Sequence, residues 1–227
     1  SIYRREIPEA VTKQEIEFMG SALISGLAEL HSVDSGILAE LNKGPGYVKR
    51  QVTGWSSRYR NALTDDVPSG EKVMSWLEAN QPDDVKLCVI HGDWRIDNAV
   101  FDPKNQRLVG ILDWELATVG DPLMDLGSAL AYWVQADDDL EFATLRRQPS
   151  DQIGMPTRDE FVSRYFKAAG LKELDFKFYE VFGLFRLAVI IQQIWARYRA
   201  GQTTNPAFSG FGIGVNILIN RADRLLS

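Results

Sequence analysis

Three polar stretches hold the side chains that could do chemistry. They read Val89-Ile-His91-Gly-Asp93-Trp-Arg95-Ile-Asp97-Asn98-Ala-Val100, then Ile111-Leu-Asp113-Trp-Glu115, then Gly120-Asp121-Pro-Leu-Met-Asp125-Leu. Apolar runs at 99–101 and 108–112, joined by the turn signal Asp102-Pro-Lys-Asn105, predict a hairpin between the first and second stretches. Such a hairpin sets Asn98 and Asp113 side by side at one end of a two-stranded ribbon. An amide carbonyl and a carboxylate so placed are hard oxygen donors of the kind Mg²⁺ takes. Asp93 precedes Asn98 by five residues on the same loop. It brings a second carboxylate beside the pair without having to be a ligand, and there it could accept the proton of a substrate hydroxyl. An isolated Asp in a loop is most often structural. The whole set at these spacings outweighs that reading for Asp93 and Asp113, while Asp97 and Asp121 read as turn or cap residues.

The elements that must carry these stretches are mostly helical. Thr12 and Glu15 have capping-box spacing, and Ile16, Met19, Leu23, Ile24, Leu27 and Leu30 follow at intervals of three and four. After a loop with Gly44, Pro45 and Gly46, Tyr47 to Leu63 reads as a second helix with Val48, Val52, Trp55 and Tyr59 on one stripe. Ser69 is expected to cap a third helix running to about Ala79, which Pro82-Asp-Asp84 ends. Leu87 to Ile90 has strand composition. Beyond Pro122 the helical period returns, over about 123–135, 157–169, 175–200 and 206–226. The pattern is a small β insert in a helical chain, with no internal repeat, linker or domain boundary. The acidic triplet Asp137-Asp-Asp139 is expected to be a solvated loop or a helix start.

Composition narrows the classes. With 25 basic against 31 acidic residues the net charge is −6, which argues against a nucleic-acid surface. One cysteine, Cys88, can make no internal disulfide and no thiolate zinc site, and reads as an inert core thiol. Two histidines are too few for most His-rich metal centres. The longest apolar stretch, Val181 to Ala196, is broken by Arg186, Gln192 and Gln193, and reads as a buried helix rather than a membrane span. The start, SIYRREIPEA, has neither an initiator Met nor the apolar core of a signal peptide. We therefore expect part of a longer cytoplasmic protein with no membrane or nucleic-acid partner.

His-Gly-Asp-x-x-x-x-Asn, followed by an apolar strand and Leu-Asp-Trp, resembles the catalytic and metal loops of the aminoglycoside phosphotransferase and choline kinase group. Those enzymes are in turn similar to protein kinases, whose H-R-D-x-x-x-x-N and D-F-G motifs work the same way. The wording HGDWRIDN with ILDWELATVGDPLMDL most resembles the branch of phosphotransferase-like proteins associated with acyl-CoA dehydrogenases. Ser1-Ile-Tyr-Arg and Leu184-Phe-Arg-Leu187 extend the likeness along most of the chain. The resemblance implies an α+β fold, the mostly helical C-terminal lobe of a protein-kinase-like fold, with a small β hairpin bearing the catalytic and metal loops. It implies that Asp93 orients and deprotonates the acceptor hydroxyl and that Asn98 and Asp113 hold Mg²⁺ against the phosphates of ATP. Arg95 stands at the position of the protein-kinase catalytic-loop Lys and would neutralise charge on the transferred group. Val100 would form the floor under the adenine, Asp125 would hold the catalytic-loop backbone, and His91 would brace the loop. Glu115 would help position ligands, and Trp133 and Arg186 would lie on helices that shape the acceptor pocket.

A complete enzyme of this kind also has a nucleotide-covering loop and a phosphate-binding Lys on a strand. Neither is legible here. Gly44-Pro-Gly46 lies between helices, Ser209-Gly-Phe-Gly-Ile-Gly214 reads as a helix entrance, and no Gly-Lys-Ser/Thr occurs. Residues 1–227 are thus expected to be the C-terminal lobe, with its own N-terminal lobe before Ser1 as a partner. The expected activity is Mg–ATP-dependent transfer of the γ-phosphoryl group to a hydroxyl of a small molecule. The branch suggests a hydroxyacyl-CoA, with aminoglycosides, choline or another amino alcohol as alternative acceptors. Two other readings compete: a catalytically silent kinase-like binding module and a metal-dependent phosphohydrolase.

Overall fold

The computed structural model describes residues 1–226. Helix α1, Lys13–Leu30, opens on the expected capping box: Thr12 Oγ1 accepts from the Glu15 N–H at 3.2 Å and Glu15 Oε2 accepts from the Thr12 N–H at 2.7 Å. Its apolar stripe, Ile16, Met19, Leu23, Ile24 and Leu27, is buried. Helix α2, Tyr47–Ala62, has no capping side chain of its own. The carboxylate of Asp84 takes that part, accepting from the N–H groups of Gly46, Tyr47 and Val48 at 2.7, 3.0 and 2.9 Å. Helix α3, Glu71–Ala79, follows Gly70 in the left-handed region. Ser69 is therefore not its N-cap; its hydroxyl reaches the Glu71 N–H only at 3.5 Å.

Two small antiparallel sheets follow. Strands β2, Ala99–Asp102, and β3, Arg107–Ile111, form the expected hairpin, with Ala99 opposite Ile111. The other sheet pairs β1, Cys88–Ile90, with β4, Thr118–Gly120. β4 has too short and mixed a sequence to read as a strand by itself; β1 templates it. The remaining helices are α4, Pro122–Leu130; α5, Leu140–Ala143; α6, Arg158–Ala169; α7, Lys177–Arg199; and α8, Phe211–Arg224. α4 is shorter than expected, and α8 starts later because Pro206–Phe208 forms a separate 3₁₀ turn.

α7 is the axis of the fold, packing against α2, α3, α4 and α8. By length and composition it could cross a membrane, but 72% of its most apolar window is buried inside this fold. Its polar residues have internal partners. Gln192 donates to the Ala62 carbonyl at 2.7 Å, and Arg186 turns towards the β insert. Where α4 crosses α7, Gly127 and Gly183 let the backbones meet: a Cβ on either would overlap a backbone carbonyl of the other helix. The acidic triplet divides. Asp139 caps α5 through the Phe142 N–H at 2.8 Å, as a helix start should. Asp138 is not solvated; its carboxylate is 2% exposed, paired with Arg158 at 2.7 Å and Arg221 at 2.8 Å. Cys88 is buried, and burial pushes its thiol up to about 12, so it stays an unreactive thiol at neutral pH.

Candidate active site

The loop leaving β1 is held from α4. Asp121, at the start of that helix, accepts from Leu123, Met124 and Val85 N–H groups at 2.8, 3.1 and 2.6 Å. One turn later, fully buried Asp125 accepts from the N–H of His91 and of Gly92, each at 2.9 Å. A third bond comes from His31 Nε2 at 3.1 Å, and His31 Nδ1 lies 2.6 Å from the Tyr165 hydroxyl. His31 and Tyr165 belong to this support, yet nothing in sequence ties them to a loop 60 residues away. Burial alone would raise the Asp125 pKa. The hydrogen bond and charge of His31, with the two loop N–H groups, outweigh it and hold the carboxyl below the usual range.

Both ring nitrogens of His91 are committed. Nδ1 accepts from the Asp93 N–H at 3.2 Å, so Nε2 carries the proton it donates to the Leu112 carbonyl at 2.9 Å. The ring ties the loop that follows β1 to the end of β3. Asn98 does the same from the other side. Its backbone carbonyl accepts from the Leu112 N–H at 2.8 Å, and its Nδ2 donates to the Asp93 carbonyl and carboxylate, both at 2.9 Å. Among the described residues Asn98 Oδ1 accepts no hydrogen bond, and the backbone bond to Leu112 sets Asn98 next to the residue directly before Asp113. Asp113 is exposed and left-handed, at φ 65° and ψ 58°, a conformation that costs an L-residue about 1 kcal/mol and that Asp tolerates better than most. The structure thus brings Asp93, Asn98 and Asp113 to one mouth of the ribbon.

Arg95 is more tied down than the kinase-Lys position implied. Its Nε donates to Asp97 Oδ1 at 2.8 Å, its Nη2 contacts the other oxygen, and its plane lies 4.8 Å from the Tyr132 ring. Asp97 is therefore the partner of Arg95 rather than a simple turn residue. Nη1 remains 3.9 Å from Asp93 Oδ1. Burial would lower the Arg95 pKa, but the hydrogen bonds to Asp97 and the charge of Asp93 reverse that and keep it charged. Val100 is half-buried on β2, opposite Gly110. Glu115 is exposed in the 3₁₀ turn Trp114–Leu116 just past Asp113. Trp133 corrects its expectation: it is 3% exposed, donates to the Pro156 carbonyl at 2.9 Å and packs edge-on against Phe161, a core residue and not a pocket wall. Arg186 does reach the site, donating from Nη2 to the Gly92 carbonyl at 2.8 Å.

On the Arg95 side of the loop lies a cleft of about 720 Å³. Leu187 and Ile191 of α7 and Phe211 and Ile217 of α8 form apolar walls. Arg95, Asp97 and Tyr132 line it where it meets the loop, and Arg4, Arg5 and Arg147 add three more guanidinium groups. Sequence reading did not foresee this cleft, because its walls come from segments far apart in the chain.

Residues 2–161 match the phosphotransferase enzyme family across the loop, the hairpin and α4. The chain belongs to that family. Among curated relatives, mouse acyl-CoA dehydrogenase family member 10 is 34% identical over 193 residues, 83% of this chain and 18% of that protein. Human acyl-CoA dehydrogenase family member 11 is 35% identical over 191 residues, 81% of this chain and 24% of that protein. This chain thus spans about a quarter or less of those relatives. Among solved structures, a Ralstonia eutropha protein provisionally called an aminoglycoside phosphotransferase superposes with a TM-score of 0.81 at 25% identity, over 96% of this chain and 67% of its own. Choline kinase from Cryptosporidium parvum shares the fold, with a TM-score of 0.60 at 10% identity, over 97% of this chain and 68% of its own. The expected family and the α+β kinase-like fold are both observed.

The family's phosphotransferase chemistry can be set against the donors present. Among the described residues no group of three or more His, Cys, Asp or Glu side chains forms a metal cage. Asn98 Oδ1 and Asp113 supply two hard oxygens at the ribbon mouth. That donor set suits a cation that takes one or two protein oxygens and completes its shell with phosphates and water, the habit of Mg²⁺.

Proposed function

We propose that this chain carries the catalytic and acceptor-binding part of an enzyme that transfers the γ-phosphoryl group of ATP to a hydroxyl of a small molecule. One observation carries the reading. The Asp93 carboxylate is fixed by Asn98, and both stand at the ribbon mouth beside Asp113. Asp93 accepts the hydrogen bond of the acceptor hydroxyl and takes its proton as the new O–P bond forms and the bond to ADP breaks. Asn98 and Asp113 would hold Mg²⁺, which when bound neutralises phosphate charge. Arg95, kept charged 3.9 Å from Asp93, offers a cation to the oxygens of the group in transit. Val100 would floor the base of the nucleotide. We read residues 1–227 as a lobe that works with a separate nucleotide-covering lobe. The 227-residue chain should then hold Mg–ATP more weakly than the complete protein, and equal affinity would discard that division.

The cleft favours one acceptor class over the others. Apolar walls with a set of arginines suit an aliphatic chain that ends in anionic groups, as in a hydroxyacyl-CoA, and disfavour cationic aminosugars and amino alcohols. The names of the acyl-CoA dehydrogenase relatives agree with that choice. The test is ATP consumption by the complete protein against hydroxyacyl-CoA, amino-alcohol and aminosugar acceptors, with products identified. A phosphorylated acceptor supports the reading; free phosphate alone points to a hydrolase, and no turnover to a silent binding module. Asp93→Asn should abolish transfer while leaving ATP affinity within about twofold, because its loss removes the proton acceptor and no metal ligand. Near-normal turnover in that variant would remove Asp93 from its role.

A further inference from the structure

We propose that Arg186 is a positioning residue for Asp93, holding the Gly92 carbonyl while Asp125 holds the Gly92 N–H. The role of Asp93 itself rests on the function proposed above. Gly92 stands at φ +80°, and a Cβ there would come within 2.8 Å of the Leu116 carbonyl oxygen. The loop therefore turns on the one residue type that brings no side chain to lock its own conformation. The locks come from two helices instead. A carboxylate on α4 accepts from the Gly92 N–H at 2.9 Å, and a guanidinium on α7 donates to its carbonyl at 2.8 Å. Opposite charges thus grip the two polar groups of the residue immediately before Asp93.

Arg186 is itself well placed to hold still. It is only 8% exposed, and its guanidinium lies 5.2 Å from the centre of the Trp55 ring on α2. Among the described residues it makes no direct ion pair. A buried guanidinium without a carboxylate partner is costly, and replacing it by an apolar side chain would suit a helix as buried as α7. Its one hydrogen bond goes to the loop. Rotation of the Gly92 carbonyl would swing the Asp93 backbone and break the bonds that Asn98 Nδ2 makes to Asp93.

The test compares Arg186→Met, Arg186→Gln and Arg186→Lys in the complete protein, using Mg–ATP with a hydroxyacyl-CoA and a crystal structure of each variant. The Met variant should lose about ten- to a hundredfold in kcat with KM for ATP within about twofold, the scale of a small misplacement of a reacting group. Lys, which keeps a cationic donor, should recover most of it. In the Met crystal structure the Gly92 carbonyl should rotate and the Asn98–Asp93 bonds part, while Asp125 keeps the His91 and Gly92 N–H groups. If the Met variant fails to fold, the Gln variant carries the same comparison. Wild-type kcat in the Met or Gln variant, or a loop that superposes on the wild type, would overturn the proposal. If the wild-type protein transfers phosphoryl to no acceptor, the role of Asp93 falls, and the variant crystal structures still decide whether Arg186 holds the loop.

Discussion

Asp125 accepts three hydrogen bonds with no exposed side-chain surface, so its charge is both expensive and necessary. Its folded-state pKa lies below the ordinary value of about 3.9. A carboxyl so depressed contributes stability that is complete above the ordinary value and is lost as pH falls through the folded one. The melting temperature should hold from neutral pH to about 5 and fall below about 4. Asp125→Asn should shrink that acid limb and lower stability at neutral pH by about 3 kcal/mol, since the amide faces two loop N–H donors with one acceptor oxygen; thermal melts across pH check both. Asp113 works at the other end of the exposure scale. Its left-handed backbone stands at an exposed ribbon mouth. Asp113→Ala should weaken Mg–ATP binding by about tenfold or more while costing only about 1 kcal/mol of stability, since Ala tolerates the left-handed backbone less well than Asp, as calorimetry and a melt would show.

Elements meet here where side chains are missing as much as where they fit. At the crossing of α4 and α7, Gly127 and Gly183 let backbones touch, which fixes how far Asp125 stands from the loop it holds. Gly183→Ala has no flexible neighbour to yield, because the obstacle is a carbonyl of the opposite helix. It should cost about 1–3 kcal/mol or more by denaturant unfolding, and should also move Arg186, one turn further along the same helix. The β insert shows the complementary case. β1 and β4 are three residues each and neither would persist alone. They pair because Asp121, immediately after β4, is pinned to Val85 ahead of β1.

At the scale of the whole molecule, the cleft between α7 and α8 lies beside the loop and is lined by Arg4, Arg5, Arg95 and Arg147. On the proposed function, the loop would set the reaction and the cleft would set what reaches it. Arg147→Glu should raise KM for an anionic acceptor by about tenfold, as reversal of a charge near a charged group does, and leave KM for ATP unchanged. A steady-state comparison with a neutral alcohol of similar chain length, which should be indifferent to the change, assigns the effect to charge.

The sequence by itself determined the local parts. The capping box at Thr12, the 3.6-residue stripes and the hairpin around Asp102-Pro-Lys-Asn105 are decided within a few residues, so α1, α6, β2 and β3 were legible. So was the meeting of Asp93, Asn98 and Asp113, because one hairpin and one short loop join them. Only the tertiary structure decided what depends on distant segments: β4 templated by β1, Asp84 capping α2, Asp138 buried between two arginines, and His31 under Asp125. It also moved Trp133 into the core and brought Arg186 to the loop. Burial and long-range pairing, unlike capping and periodicity, are properties of the packed whole, and a polar residue in an apolar helix declares only that it needs a partner, not which one.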